Sequence, residues 1–252
     1  LREQMRRHPA HRSADRESVA RVAERYLRVE RDNEQIRGKV SAATNSLART
    51  FDRILGLLTE RGYIAEAGPA DDETRVTDDG RLLARIYSES DLLVAECLRT
   101  GVWKGLQSAE LAAVLSAMVF ESRGSDGPAP VHVIEMPTTG VRRALAETRR
   151  LSDQLRGDEN RHRLAPSREP DAGFVPAVYR WATTGNLAAA LAASDVTGNG
   201  SALSAGDFVR WCRQVLDLLD QVRNASPDAG MRKAAKRAID DVRRGVVAVD
   251  SG

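Results

Sequence analysis

Cysteine is scarce in this sequence, with Cys97 and Cys212 the only two in 252 residues. Both sit in apolar helical patterns, so they read as buried, reduced thiols of a reducing compartment rather than as a disulfide or metal ligands. The four histidines are scattered without ligand spacing, which gives no support to a metal site. Long apolar runs are absent as well. None approaches the roughly 20 residues that span a bilayer, and no signal peptide opens the chain, so no membrane partner is expected. Charge of one sign is also lacking: 38 Lys and Arg against 36 Asp and Glu leave a formal net charge of +2. No strong overall field draws in nucleic acid, and any such contact depends on local basic faces. A phosphate loop is missing, because Gly38-Lys39 has neither the upstream glycine nor the following hydroxyl. Without a cradle for a triphosphate and its Mg²⁺ the chain does not hydrolyse ATP, and no catalytic residue is expected in it.

What is present describes a soluble globular protein, with 42% hydrophobic and 29% charged residues. The length suits one large domain or two small ones. The basic residues are nearly all Arg, a side chain suited to planar, bidentate contacts with phosphate. The first residue is Leu1 rather than Met, which reads as a fragment or a processed chain.

Residues 1–50 carry the clearest period. Val19, Val22, Tyr26, Val29, Asn33, Ile36, Val40, Ala43 and Leu47 recur at steps of three and four, the seam of a coiled-coil helix with Asp15 as a candidate N-cap. Asn33, the polar member, is a device that fixes register. A seam needs an opposing helix, expected upstream of residue 1. From Phe51 an amphipathic segment with Ile54, Leu55 and Leu58 ends at Gly62, a candidate left-handed terminator. After an acidic loop, residues 74–77 and 82–86 flank Asp78-Asp79-Gly80, which predicts a β-hairpin. Helix plus hairpin is half of a winged helix.

Helices are predicted for the remainder. One runs over 90–99 and stops at Gly101, and another starts at Ser108 as N-cap. Residues 124–137 form a Gly/Pro-rich linker. Further helices are expected over 139–164, 175–181, 187–193 and 204–223, with a glycine turn at Gly198 to Gly200. A last one is opened by Ser226-Pro227, with Pro in the first turn. The fold class is mainly α: a coiled-coil stalk helix, a partial winged helix with a small β-hairpin, and a C-terminal helical bundle.

Two motifs imitate chemistry. Asp158-Glu159-Asn160-Arg161 looks like a DExH box but follows no apolar strand. Asp195 to Gly200 imitates a calcium loop, yet Thr197 and Gly206 stand where two carboxylates are needed, so a glycine-rich turn is the better reading. The helix over 204–223 has a core stripe of Phe208, Cys212, Val215, Leu219 and Val222. Arg210, Gln214, Asp217 and Gln221 line up on another face, with Arg213 beside them. Taken alone, that face is an ordinary solvated one. The helix with Arg142, Arg143, Arg149, Arg150 and Arg156 is a weaker nucleic-acid candidate, because acids are interleaved with the arginines. Trp103, Trp181 and Trp211 read as core packing.

The order of parts resembles the C-terminal region of the Ski-like DExH-box RNA helicases, which include exosome-associated helicases and the HelY type. Residues 45–64 (NSLARTFDRILGLLTERGYI) look like the helix re-entering that family's winged helix from its stalk. Residues 90–103 (SDLLVAECLRTGVW) resemble the opening of its DSHCT domain, and 177–183 (AVYRWAT) match the signature Trp-Ala-Thr segment. A looser Gly/Ser stretch at 197–204 departs from the pattern. The resemblance implies a stalk end at 1–48, a winged-helix part at 49–89 and a DSHCT bundle at 90–252. It also implies a cytoplasmic module that binds single-stranded RNA along a ratchet helix. Arg210 and Arg213 would pair phosphates, Gln214 would meet base or ribose, Asp217 would accept from a ribose hydroxyl, and Gln221 would continue the row. ATP and Mg²⁺ would belong to motor domains of the same parent chain, a 3′–5′ helicase of RNA processing or decay, with RNA-decay proteins docking through the stalk. The competing reading is a winged-helix DNA-binding regulator that dimerises through the coiled coil.

Overall fold

A computed structural model describes residues 2–9, 15–65, 75–122, 134–195 and 203–248. They are mainly α-helical, with one two-stranded sheet among them. The chain divides into two compact units, Leu1–Arg53 and Ile54–Gly252.

The first unit holds helix α1 (Arg2–Arg7) and most of α2 (Arg16–Glu60). Asp15 precedes α2, and its carbonyl accepts the Val19 amide at 3.0 Å. The apolar period is real but uncovered: Val19, Val22, Tyr26, Val29, Ile36, Val40 and Leu47 are 50–72% exposed. Asn33 is exposed with them, and the Ala43 side chain lies outside the described set.

The second unit begins within α2, where Leu57 is buried. The helix stops as its glycine indicated. Gly62, at φ 77°, donates to the Thr59 carbonyl at 3.0 Å, and Tyr63 donates to that of Leu58 at 2.9 Å. Strand β1 (Ile64–Ala65) then pairs antiparallel with β2 (Arg75–Val76), Ile64 opposite Val76. The hairpin turn predicted at Asp78-Asp79-Gly80 is wrong, because these residues open helix α3 (Asp78–Leu83). Thr77 caps that helix by accepting the Gly80 amide at 3.1 Å. Asp78 and Asp79 fill its first turn, where carboxylates meet the positive end of the peptide dipoles. Thus β2 looks back to β1 and not forward to residues 82–86, whose Leu82 and Ile86 are buried in the core. Gly80 is required by space: a Cβ there would lie 2.2 Å from the Tyr63 carbonyl oxygen. The acidic loop, the glycine turn with its calcium-like pattern after Asp195, and most of the 124–137 linker lie outside the described residues.

The bundle follows: α4 (Asp91–Thr100), α5 (Ser108–Val119), α6 (Thr139–Arg161), a 3₁₀ turn (Ala172–Phe174), α7 (Val175–Thr184), α8 (Leu187–Ala192), α9 (Ala205–Ala225), α10 (Ala229–Val242) and α11 (Gly245–Ala248). Helix α4 ends at Gly101, φ 72°, as expected. Two caps differ from the prediction. Gln107, not Ser108, is the N-cap of α5, its amide donating to Glu110 at 2.9 Å. Pro227 stands before the α10 cap rather than in the first turn, and Asp228 is the cap, accepting the Met231 amide at 2.7 Å.

Helix α5 is central. Every residue from Leu111 to Met118 is buried, so it is enclosed all round rather than along one stripe, and α6, α7, α9 and α10 pack around it. The few aromatic rings are concentrated beside it. Phe120 stacks on Phe174 at 5.3 Å and meets Trp211 edge-on at 5.2 Å, while Phe208 meets Phe174 and Trp181, each at 5.6 Å. Trp103 is fully buried and donates to Thr148 at 2.9 Å, which ties the α4–α5 turn to α6. All three tryptophans therefore pack the core. Cys97 and Cys212 are buried free thiols, Cys97 donating to Thr148 at 3.8 Å, and burial pushes both up.

Candidate nucleic-acid interface

Helix α9 is fixed at its start by Ser204, which accepts the Asp207 amide at 3.1 Å and donates to the Asp207 carboxylate at 2.9 Å. Nine of its side chains, including Phe208, Cys212, Val215, Leu219 and Val222, are buried. Trp211, Leu216 and Leu218 widen that buried face beyond the predicted stripe. The remaining arc carries the predicted row. Arg210, Gln214 and Asp217 are exposed, and Arg213 and Gln221 are half-buried.

Two open depressions flank the row. The first, about 600 Å³, is lined by Arg210, Arg213, Gln214 and Asp217 together with Ala205, Gly206 and Val209. The second, about 440 Å³, shares Gln214 and Asp217 and continues past Trp211 and Gln221 to Tyr87 and Arg168. The Arg210 guanidinium lies 4.6 Å from the Trp211 ring centroid and 3.6 Å from Asp207. Its side chain nevertheless keeps 52% exposure, so the group is oriented from one side and open on the other.

Gln221 also holds a neighbouring turn. Its Oε1 accepts the Tyr87 amide at 2.7 Å, and its Nε2 donates to the Tyr87 carbonyl at 3.4 Å. The carboxamide holds the α3–α4 turn and is occupied at both ends. Arg168, absent from the sequence reading, donates to the carbonyls of Met118 and Phe120 at 2.8 Å each and so caps the end of α5.

The second basic candidate is partly paired. On α6, Arg149 and Arg156 both pair with Glu169, and Arg150 pairs with Glu147 at 2.9 Å. Arg142 and Arg143 are exposed. The DExH-like segment at the end of α6 is structural. Glu159 accepts the Ser167 amide at 2.7 Å, and Asp158 pairs with Arg61 at 2.5 Å and with Arg161. Arg61 also pairs with Glu96 at 3.0 Å. Burial works against the Glu96 charge, but hydrogen bonds from Arg99 and Tyr63 outweigh it and hold the carboxyl below its ordinary value. Burial likewise opposes the Asp158 charge, and Arg161 and Arg61 together hold that carboxyl low. His162 and Arg161 do the same for Glu60. No three His, Cys, Asp or Glu side chains gather at metal-binding distance among the described residues. No helix among them is long and apolar enough to cross a membrane.

The DSHCT (NUC185) domain model matches residues 73–250. The chain is 67% identical over 251 residues to a probable helicase HelY of Mycobacterium tuberculosis and 66% identical over 252 residues to that of Mycobacterium leprae. These matches cover the whole chain but 27% of each helicase. The exosome RNA helicase MTR4 of Mus musculus is 23% identical over 223 residues, 88% of this chain and 20% of that protein. The chain belongs to the DSHCT family and corresponds to the C-terminal accessory region of Ski-like, HelY-type helicases.

Proposed function

We propose that this chain is the RNA-guiding module of an ATP-dependent 3′–5′ RNA helicase acting in RNA processing or decay. Single-stranded RNA passes over α9, while ATP and Mg²⁺ are handled by motor domains of the parent polypeptide. The observation that carries this reading is the row Arg210, Arg213, Gln214 and Asp217, set on a core helix between two open depressions. A helix anchored through nine buried residues does not yield when a strand is drawn across it. The two guanidinium groups suit phosphates, and the amide and carboxylate suit ribose or base edges. The mycobacterial relatives are probable helicases and the mouse relative is an exosome RNA helicase, which supports RNA as the ligand. In the same reading, residues 49–89 form the winged-helix part, and the uncovered stripe of α2 is the seam of a coiled-coil stalk through which RNA-decay proteins dock. The setting is cytoplasmic.

Fluorescence anisotropy with a labelled single-stranded RNA tests the α9 assignment. Binding should be weak and salt-sensitive. Each single-strand phosphate contact contributes about 0.7 to the slope of log affinity against log salt, so Arg210→Ala with Arg213→Ala should flatten it by about 1.4. Unchanged affinity and slope in the double variant would overturn the reading.

A further inference from the structure

We infer that Tyr87 is a stacking platform for one nucleobase of the bound strand, and that the depression beside it receives that base. The inference rests on α9 being an RNA path. At 80% exposure Tyr87 is the most exposed large hydrophobic side chain among the described residues. It is nonetheless held. Gln221 grips both of its backbone polar groups, Ile86 before it is 4% exposed, and Arg85 donates to the Asn224 carbonyl at 3.5 Å. A ring presented to solvent on a clamped turn keeps its face available with little conformational freedom to lose.

The depression at its side has the chemistry of a base site and not of a phosphate site. Its volume of about 440 Å³ falls in the range of small-molecule pockets. Met118, Trp211 and Leu218 give it apolar lining, and Glu89, Glu121 and Asp217 bring three carboxylates. Arg168 is the one cation lining it, and two nitrogens of that guanidinium already cap α5. Carboxylates repel phosphate but accept N–H donors, which base edges supply. The other depression is lined by two guanidinium groups, Arg210 and Arg213, and one carboxylate, Asp217, with Asp207 lying 3.6 Å from Arg210. The strand is thereby oriented, its phosphates over the first half of α9 and one base against Tyr87 at the second. Acceptor-rich walls favour bases with an exocyclic amine, so cytosine should be held better than uracil.

The test uses the 252-residue chain, fluorescein-labelled oligo(rC) and oligo(rU), and long-chain polyphosphate as a base-free competitor. Tyr87→Ala should weaken oligo(rC) binding roughly tenfold, as removal of one base-stacking ring does. Competition by polyphosphate should be unchanged, Tyr87→Phe should retain affinity, and the preference for C over U should shrink in Tyr87→Ala. Full oligo(rC) affinity in Tyr87→Ala, or equal loss for oligo(rC) and polyphosphate, overturns the stacking role. The Arg210→Ala, Arg213→Ala variant run alongside separates the two claims. Loss there with none in Tyr87→Ala leaves the α9 path standing and removes only the platform, whereas loss in neither removes both. With the unsubstituted chain, 2-aminopurine placed in oligo(rC) should stay quenched on binding, and brightening would likewise overturn the inference.

Discussion

The Tyr63 hydroxyl donates to Oε1 of Glu96 at 2.8 Å, and Arg61 pairs with that same oxygen at 3.0 Å, where the Glu96 side chain is only 2% exposed. This knot joins the end of α2 to α4, and through Asp158 to α6. Removing its centre leaves the Tyr63 hydroxyl without that acceptor, and leaves a guanidinium that is itself 11% exposed paired with Asp158 and no longer with Glu96. Glu96→Ala should therefore cost about 1–3 kcal/mol of folding stability, as leaving buried polar groups without one partner does. Urea unfolding followed by circular dichroism checks it. A cost near the 0–1 kcal/mol of surface pairs would show that water reaches Arg61.

The same knot makes stability depend on acid. Glu60, Glu96 and Asp158 are held below their ordinary values of 4.5, 4.5 and 3.8. The unfolded chain thus takes up protons at a higher pH than the folded one. Their contribution is complete above those ordinary values and is lost as pH falls through the depressed ones. Asp91, pushed up by burial, acts in the opposite sense but alone. Urea midpoints should hold down to about pH 5 and then drop, and the drop should be shallower in Asp158→Asn. A midpoint that rises on acidification would contradict the assignment.

Two glycine substitutions should move stability in opposite directions. At Gly80 a Cβ would meet the Tyr63 carbonyl oxygen at 2.2 Å and Val76 Cγ1 at 2.7 Å, so α3 must lift from Tyr63 and β2. Gly80→Ala should cost about 1–3 kcal/mol by overpacking. At Gly157, on an exposed turn of α6, a Cβ meets nothing within 4 Å. Gly157→Ala should stabilise by up to about 1 kcal/mol, the helix-propensity difference. Paired thermal melts read both signs.

Trp181 is 2% exposed and donates through Nε1 to the Val242 carbonyl at 2.9 Å. Trp181→Phe keeps a ring but removes one of two donors to that carbonyl, which the Arg244 amide also meets at 2.9 Å, and should cost about 0.5–1.5 kcal/mol. Trp181→Ala adds a cavity and should cost about 3–5 kcal/mol. Neither should change RNA affinity once measured well below the melting temperature. A selective loss of binding in Trp181→Phe would mean the ring serves the ligand.

What the sequence made legible is what repeats or what only one residue type can do. The 3.6-residue period exposed the core stripe of α9, Gly62 announced a left-handed helix end, and Gly101 marked where a helix stops. The hairpin was misread because Asp-Asp-Gly serves a helix start as well as a tight turn, and two-residue strands carry no period to arbitrate. The contact of Gln221 with Tyr87 was not legible, because a period fixes the angle around a helix and not which turn lies across from it. Tyr87 sits in a segment without repetition, so nothing singled it out. The ionic knot was invisible for a plainer reason: Arg61 and Asp158 stand 97 residues apart along the chain.

The Gln221 clamp bears on how mutational maps of such a helix are read. Shortening that side chain frees a neighbouring turn and everything the turn displays. A substitution there would then score as a lost ligand contact even where part of its weight belongs to the posture of its neighbour.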